Sequence, residues 1–355
     1  MIAPEELRYT ALGVMSGSSL DGVDLALCSF TLQDEHWHFS IDDARTIPYT
    51  RAFQERLQAV MGGTALELAR LDRDLGDLIG HACKELLDGR PVDVIGSHGH
   101  TIYHKPDEGL TLQIGQGARI AAITGMPVIA DFRTKDIALG GQGAPLVPLG
   151  EKLLFPEHRL FLNIGGICNI AWHQGDRVLG YDVCIGNQAL NLLAGIEGLP
   201  FDRGGELARA GAVDRTLLHQ LNELPFHHRS PPRSLGREWF QEAMVPLITA
   251  PSTSVQDRMR TVVEHIALNL TQAIGMGTEK VLTTGGGAHN SFLVERIDSL
   301  LGARLEVPER PVVDFKEAMI FAFLGVRRLR NESTALASVT GAARDSSGGY
   351  LVNAN

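Results

Sequence analysis

The sequence lacks paired cysteines, a basic excess and any long apolar run, and each absence excludes a class of protein. Its four cysteines form no CxxC motif, which predicts buried thiols in a reducing compartment and neither disulfides nor a zinc site. The formal net charge of −10 argues against a nucleic-acid or anionic-membrane partner, because both require basic patches. No apolar run approaches the roughly 20 residues that span a bilayer, and the N-terminus lacks the basic start and apolar core of a signal peptide. We therefore expect a cytoplasmic protein.

The length of 355 residues predicts two domains, and a content of 44% hydrophobic and 21% charged residues is that of an ordinary globular protein. Apolar residues at three- and four-residue intervals predict helices over residues 65–89, 255–276, 291–301 and 314–330. Short apolar runs predict strands over residues 37–41, 91–96, 110–113, 126–130 and 280–284.

The most informative segment is residues 13–28, where two apolar runs are joined by a turn of Ser, Gly and Asp. Such a turn exposes backbone N–H groups and two hydroxyls, and phosphate is the commonest anion that backbone amides bind. Asp21 and Asp24 lie beside the turn, and carboxylates next to a phosphate are typical of a magnesium-dependent nucleotide site. The alternative is an ordinary β-hairpin with a glycine-rich turn.

The second half of the chain begins as the first half does. A strand over residues 160–164, a turn at Gly165-Gly166 and strands over 167–171 and 178–181 are followed by helices, which we interpret as an architectural repeat. The glycine-rich stretch 137–145 is the predicted connection, with an N-terminal domain of residues 1–135 and a C-terminal domain of residues 136–355. The Ser- and Gly-rich tail from Asp345 is predicted to be loosely held, and the extreme C-terminus could pack on the first domain.

Polar side chains follow several predicted strands. Open α/β sheets place their sites at the C-terminal ends of strands, so Asp131, Arg133, Asp136 and Asp182 are candidates for contacts in a cleft. Asp182 follows a predicted strand and precedes a predicted helix, which makes it the best candidate for a general base. For any one of these aspartates the alternative is a helix N-cap or a turn.

Two histidines follow the strand predicted over residues 91–96. His98 and His100 would share one face of an extended segment, a spacing that some metal sites use. No nearby carboxylate or thiol completes a tetrahedral set, so hydrogen bonding to a polar substrate is the preferred function. A solvated loop is the alternative.

Two further segments could contact a ligand. Gly285, Gly286 and Gly287 come between a predicted strand and a predicted helix, an arrangement that lets a base and ribose lie against the backbone. Arg233 and Arg237 bring two cations into an acidic chain, where they could neutralise a substrate anion or belong to a structural helix cap.

Together these motifs resemble those of the anhydro-N-acetylmuramic acid kinases, a family of the sugar kinase, Hsp70 and actin superfamily. The resemblance extends through most of the chain in the order of the family's motifs. It rests on residues 15–24, 97–99, 131–133, 139–148, 162–167, 231–234, 285–290 and 338–342.

The resemblance implies an α/β, two-domain actin/hexokinase-like (ribonuclease H-like) fold with a duplicated core and an interdomain cleft that closes over ATP and Mg²⁺. The family opens the 1,6-anhydro bridge of its sugar with water and phosphorylates O6, in the cytoplasm, usually as a homodimer, during peptidoglycan recycling. Asp182 matches the general base, and Asp21 is the expected metal ligand. The sugar contacts are expected at His98, Gly99, Asp131, Arg133 and Asn187. The nucleotide contacts are expected at Gly17, Ser18, Ser19, Leu20, Asp21, Gly22, Val23, Asp24, Gly165, Gly166, Gly285, Gly286, Gly287 and Asn290.

The sequence departs from the family pattern near the expected sugar site. The usual Asp-Thr-Gly-Pro-Gly-Asn is replaced by residues 182–187, Asp-Val-Cys-Ile-Gly-Asn, and Gln is replaced by His100. A further Asp is replaced by Asn191. Two alternatives to the family's sugar therefore stay open: a kinase for levoglucosan or another anhydro sugar, and a non-catalytic nucleotide-binding protein of the same fold.

Overall fold

The computed structural model describes residues 6–17, 20–175, 177–231, 233–250, 253–302 and 304–354. The strands are β1 (Leu7–Ser16), β2 (Gly22–Gln33), β3 (His36–Pro48), β4 (Val94–Lys105), β5 (Leu110–Ile114), β6 (Val128–Ala130), β7 (Leu160–Ile164), β8 (Ile167–Gln174), β9 (Arg177–Ile185), β10 (Val281–Thr284), β11 (Leu305–Glu306) and β12 (Tyr350–Val352).

The α-helices are α1 (Arg51–Ala59), α2 (Ala65–Leu87), α3 (Gly117–Thr124), α4 (Thr134–Ala138), α5 (Val147–Leu154), α6 (Asn187–Ile196), α7 (Glu206–Ala210), α8 (Arg215–Asn222), α9 (Arg237–Trp239), α10 (Val245–Thr249), α11 (Val255–Ile274), α12 (Ser291–Leu301), α13 (Arg310–Leu329) and α14 (Ala337–Thr340). Short 3₁₀ turns occur at Val60–Gly62, Pro106–Glu108, Arg203–Gly205, Pro225–His228 and Gly286–His289, and a π-helical turn at Phe240–Met244. None of the described helices combines the length and the apolar character needed to cross a membrane.

The chain forms two compact units, one of Met1–Pro156 with Phe315–Asn355 and the other of Glu157–Asp314. The predicted boundary between residues 135 and 136 therefore lies inside the first unit. The reason is the burial of Asp136, whose Oδ2 accepts the N–H of Gly143 (2.8 Å) and whose Oδ1 accepts the hydroxyl of Thr340 (2.7 Å). These bonds bind the glycine-rich stretch to the C-terminal segment, so this stretch does not serve as a linker.

In the first unit the strands lie in the order β3-β2-β1-β4-β6-β12, and β5 pairs with β4. Strand β1 is antiparallel to β2 and parallel to β4. Alternate side chains of a strand point to opposite faces. Leu12 and Val14 share a core with Leu75 of α2, whereas a Cβ at Gly13 would lie 1.7 Å from the carbonyl oxygen of Ala318 in α13. Helices α2 and α13 therefore cover opposite faces of this sheet.

The second unit repeats the strand arrangement of the first. Its strand order is β9-β8-β7-β10-β11, with β7, β8 and β9 antiparallel and β10 and β11 parallel to β7. In both units the first strand of an antiparallel set of three also pairs with a parallel strand on its other side. The predicted α/β fold class with a duplicated core is thus confirmed.

Several predicted elements have different ends in the structure. Helix α2 begins and ends close to its predicted bounds, and a capping box between Thr64 and Glu67 fixes its start. Strands β4 and β9 are longer than predicted, so Ser97 and Asp182 lie within strands and do not follow them.

The prediction of a loosely held tail is wrong. Strand β12 pairs antiparallel with β6, and the Ser346 N–H donates to the carbonyl of Ala335 at 3.1 Å. These are main-chain hydrogen bonds, which a polar Ser- and Gly-rich segment can make as well as an apolar one.

The close approach of α13 to the first sheet gives a stability prediction. A Cβ at Gly96 would lie 2.0 Å from the carbonyl oxygen of Phe321, so we expect Gly96→Ala to lower the free energy of unfolding by about 2–3 kcal/mol. Gly62→Ala is the matched control, because nothing lies within 4 Å of its Cβ position, and it should change that free energy by less than about 0.5 kcal/mol. Urea unfolding followed by circular dichroism measures both. Equal values for the two variants would contradict the assigned packing.

Candidate active site

The predicted phosphate turn follows the end of β1 and is anchored by a buried hydrogen-bonded group. The Ser16 hydroxyl lies 2.7 Å from the Tyr49 hydroxyl and 3.0 Å from Nδ1 of His100. Burial lowers the pKa of His100 and raises that of Tyr49 to about 12, so all three groups are neutral near pH 7. The first residue of the turn is thereby fixed, while the predicted contacts Ser18 and Ser19 lie outside the described residues.

The far side of the turn has residues whose identity is explained by packing. A Cβ at Gly22 would lie 2.3 Å from a carbonyl oxygen of β3, and the side chain of Val23 is fully buried. Oδ1 of Asp24 accepts the hydroxyl of Thr46 at 2.5 Å. Asp21 is exposed. Gly22 and Val23 can therefore meet a ligand only through their backbone, whereas the Asp21 carboxylate is accessible to solvent.

His98 and Arg133, both predicted to contact the substrate, bind each other. Nε of Arg133 donates to Nε2 of His98 at 3.0 Å, and Nδ1 of His98 lies 3.0 Å from the Gly99 carbonyl oxygen. This pattern requires a neutral imidazole with its proton on Nδ1. Burial, helped by the Arg133 charge, lowers the pKa of His98 from its usual 6.5 to about 3. Since Nε2 accepts a hydrogen bond, the geometry favours a polar scaffold over a metal ligand at His98.

Arg133 lies within the electrostatic influence of a carboxylate that the sequence did not reveal. Burial lowers the pKa of Arg133 to about 10, and the charge of Glu317 on α13 acts in the opposite direction. Nη1 of Arg133 donates to the Gly143 carbonyl at 3.3 Å. Glu317 is exposed, and its place in an amphipathic helix gave no sequence signal. Glu317 is therefore a further candidate for a polar ligand contact, on the same unit as Arg133.

Asp131 lines a polar cavity of the first unit. Its backbone is left-handed (φ 59°), and its Oδ1 accepts the N–H of Thr134 at 3.1 Å. Ser97, His98 and Gln113 also line this cavity of about 230 Å³. The Ser97 hydroxyl and the side-chain oxygen Oε1 of Gln113 are buried and have no hydrogen-bond partner among the described residues. The structure thus brings Asp131 and His98 to a cavity that can take a polar group.

Asp182 lies within β9 at a β-bulge. Asp182 pairs with Asn169 and Cys184 with Cys168, so Val183 is the extra residue. Oδ2 of Asp182 accepts the N–H of Leu235 at 2.9 Å. Burial raises the pKa of the Asp182 carboxyl and the Leu235 N–H acts against that rise. A half-buried carboxylate of this kind has the properties of a general base.

The glycine turn of the second unit is locked to the start of α6. The carbonyl of Gly166 accepts the N–H of Gly186, and the carbonyl of Gly165 accepts the N–H of Asn187, both at 2.9 Å. Nδ2 of Asn187 also donates to the carbonyl of Ile164 at 3.4 Å. Asn187 therefore supports the turn, whatever contact it makes with a ligand.

The glycine triplet has a structural explanation at two of its three positions. A Cβ at Gly285 would lie 2.3 Å from Oδ1 of Asn163, and a Cβ at Gly287 would lie 2.2 Å from the side chain of Ile164. At Gly286 the nearest atom would be 3.8 Å away. Asn290 accepts the N–H of Leu293 at 3.0 Å and caps α12. Packing and capping thus explain three of these predicted nucleotide residues, and the surroundings of Gly286 are open.

The chain is similar to known proteins over nearly its whole length. A family model described as anhydro-N-acetylmuramic acid kinase matches residues 9–354. A relative of that name from Mannheimia succiniciproducens is 36% identical, with 97% of this chain and 99% of the relative covered. Another from Shewanella baltica is 38% identical, with 94% and 96% covered. Among solved structures, component A of (R)-2-hydroxyglutaryl-CoA dehydratase from Acidaminococcus fermentans is 14% identical, with a TM-score of 0.47, over 91% of this chain and 99% of that one.

The neutral His98 gives a prediction for pH-dependent stability. Its pKa is 6.5 when unfolded and about 3 when folded, so the unfolded chain binds more protons and stability falls as the pH drops below 6.5. Between pH 7.5 and pH 5 the protein should lose about 2 kcal/mol more than the variant His98→Gln, whose side-chain oxygen can still accept from Arg133. Urea unfolding at both pH values tests this. Equal losses would show that His98 is not the neutral group described.

Proposed function

The chain belongs to the anhydro-N-acetylmuramic acid kinase family, and from this premise we propose that it is an ATP-dependent kinase for anhydro-N-acetylmuramic acid. It opens the 1,6-anhydro bridge with water and phosphorylates O6, giving N-acetylmuramic acid 6-phosphate during peptidoglycan recycling. The observation that supports this most is the half-buried Asp182, at the position of the family's base, with one oxygen bound to the Leu235 N–H. We also propose a cytoplasmic homodimer.

The chemistry proposed for Asp182 is general-base catalysis. Water attacks the anomeric carbon while Asp182 removes a proton from it. The bond between C1 and O6 breaks, and the electron pair of O6 attacks the γ-phosphorus of ATP as ADP leaves. Because burial raises the pKa of this carboxyl, with the Leu235 N–H acting against that rise, it is a stronger base than an exposed aspartate.

The nucleotide is proposed to bind through the phosphate turn and the glycine segments. Residues 17–24 are the proposed phosphate contacts, and Gly165, Gly166, residues 285–287 and Asn290 keep their predicted role. Asp21 fits a magnesium ligand, because its carboxylate is exposed beside the turn and Mg²⁺ is commonly held by one or two carboxylates together with phosphate oxygens. Bound Mg²⁺ would neutralise charge on the phosphates.

The sugar is proposed to bind at His98, Gly99, Asp131, Arg133 and Asn187. Arg133 is a cation already held by His98 and by the Gly143 carbonyl. Its remaining N–H groups could therefore bind a substrate carboxylate, such as that of the lactyl group, without a large loss of side-chain freedom.

Packing explains the departures from the family pattern at His100 and residues 183–185 but not at Asn191. His100 belongs to the buried group around Ser16, and residues 183–185 are buried in the core of the second unit. Asn191 is exposed on α6. The buried altered positions thus support the scaffold, which favours the family's sugar. Levoglucosan or another anhydro sugar remains the second candidate, because the same positions follow the base in sequence.

The substrate assignment predicts a product. Purified protein with ATP, Mg²⁺ and anhydro-N-acetylmuramic acid should give ADP and a ring-opened 6-phosphate, detected by mass spectrometry. We expect a higher kcat/KM for this sugar than for levoglucosan. The reverse order would support the second candidate, and tight ATP binding without turnover of any anhydro sugar would support a nucleotide-binding protein that is not an enzyme.

The base assignment predicts a selective loss. Asp182→Asn should lower kcat by at least about 100-fold, the usual minimum for a general base, and leave the Kd for ATP within about threefold. Glu197→Gln, at an exposed carboxylate of the same unit, is the matched control and should keep full activity. If Asp182→Asn stayed within about tenfold of the unmodified protein, roughly 1.4 kcal/mol of barrier, Asp182 would not be the base.

A further inference from the structure

The segment from Phe226 to Leu235, which we name the strap, runs against the bulge that carries Asp182. Residue 232 of the strap lies outside the described residues. The Asp182 N–H donates to the carbonyl of Arg233 at 3.0 Å, and Nε of Arg233 donates back to the Asp182 carbonyl at 3.3 Å. The Leu235 N–H donates to Oδ2 of Asp182 at 2.9 Å. Three hydrogen bonds therefore join two residues of the strap to one residue of β9.

Arg233 also makes hydrogen bonds within the strap. Its Nη1 donates to the carbonyls of Phe226 (3.2 Å), His227 (3.0 Å) and Arg229 (2.8 Å). The guanidinium lies 4.8 Å from the centroid of the Phe226 ring. A planar group with five donors in a fixed geometry can serve the strap and the strand together, which a lysine cannot do. The predicted role of Arg233 against a substrate anion is therefore not favoured, because its donors bind main-chain carbonyls.

The strap rests on a buried part of the second unit. The His227 ring lies 4.9 Å from the ring of His265, which is fully buried. Burial lowers the pKa of His227 to about 4 and that of His265 to about 3, so both rings are neutral near pH 7. A strap seated on a packed core has a defined position from which Arg233 and Leu235 can act on β9.

We propose that Arg233 is a positioning residue that, through the strap, holds Oδ2 of Asp182 on the Leu235 N–H and leaves Oδ1 as the proton acceptor. This inference rests on the proposed function of Asp182. Among the described residues Oδ1 has no hydrogen-bond partner. A β-bulge changes the direction of the side chain at the bulged position. The hydrogen bond from the strap then fixes the orientation of the Asp182 carboxylate.

The surroundings of Asp182 make this role measurable by pH. The described titratable groups around it are Arg233 from the strap, Tyr181 and Cys184 on its own strand, and Cys168 on β8. Burial raises the pKa of Tyr181, and a hydrogen bond with Cys168, together with burial, raises that of Cys184. Arginine stays cationic. Asp182 is therefore the carboxylic acid of this described set, and the acidic limb is assigned to it.

The test compares Arg233→Ala with the matched control Arg229→Ala, whose side chain is exposed on the same strap. Arg233→Ala should lower kcat at least about tenfold and move the acidic limb of kcat/KM for the anhydro sugar about one unit to higher pH. The limb moves up because loss of the Leu235 N–H bond disfavours the ionised carboxylate. The kcat and the acidic limb of Arg233→Lys should lie between those of Arg233→Ala and the unmodified protein. Those of Arg229→Ala should equal those of the unmodified protein.

Leu235→Pro removes the same N–H directly and should reproduce the shift, with circular dichroism and ADP binding used to check folding. An unshifted acidic limb in Arg233→Ala, with only a lower Tm, would overturn the positioning role, and so would the same shift in Arg229→Ala. If Arg233→Ala or Leu235→Pro did not fold, the position of the acidic limb in Arg233→Lys would test the positioning role.

Asp182→Asn separates the two proposals. If this variant retains turnover, the base assignment fails whatever Arg233 does. If it abolishes turnover and the acidic limb of the Arg233 variants stays in place, the positioning role alone fails.

Discussion

The direct contact between the backbone of α13 and the first sheet is the constraint on which the candidate site residues of the first unit depend. Gly13 of β1 and Gly96 of β4 have no room for a Cβ, because carbonyl oxygens of Ala318 and Phe321 occupy that space. The backbones of both strands are therefore packed directly against the backbone of one helix. Strand β1 ends at the phosphate turn and β4 carries His98, so this packing sets the position of both.

In both units, hydrogen bonds within the protein hold the side chains that are proposed to act on a ligand. In the first unit, the pairing of His98 with Arg133 keeps the imidazole neutral and the guanidinium in place. In the second, Arg233 binds main-chain carbonyls of the strap and of Asp182. Such supporting bonds reduce the side-chain freedom that binding and catalysis would otherwise have to remove.

Much of the fold could be predicted from local patterns, and the errors have physical causes. Helices with a clear apolar period, such as α2, were found nearly to the residue, because burial of one face determines them. The ends of β4 and β9 were missed, since main-chain pairing carries a strand through polar residues. The domain boundary was misplaced because the burial of Asp136 depends on Thr340, about 200 residues away in sequence, which a local composition rule cannot detect.

The sequence by itself determined the family and the repeated strand pattern, and it supplied the predicted phosphate turn and Asp182 as the candidate base, because these follow from motifs and periodicities within short segments. Only the tertiary structure decided which polar residues serve the scaffold. Gly285 and Gly287 make room for the end of β7, Asn290 caps α12, and Arg233 binds carbonyls instead of an anion. Each of these roles depends on a spatial neighbour, and spatial neighbours are fixed when the chain packs, not by the residues on either side.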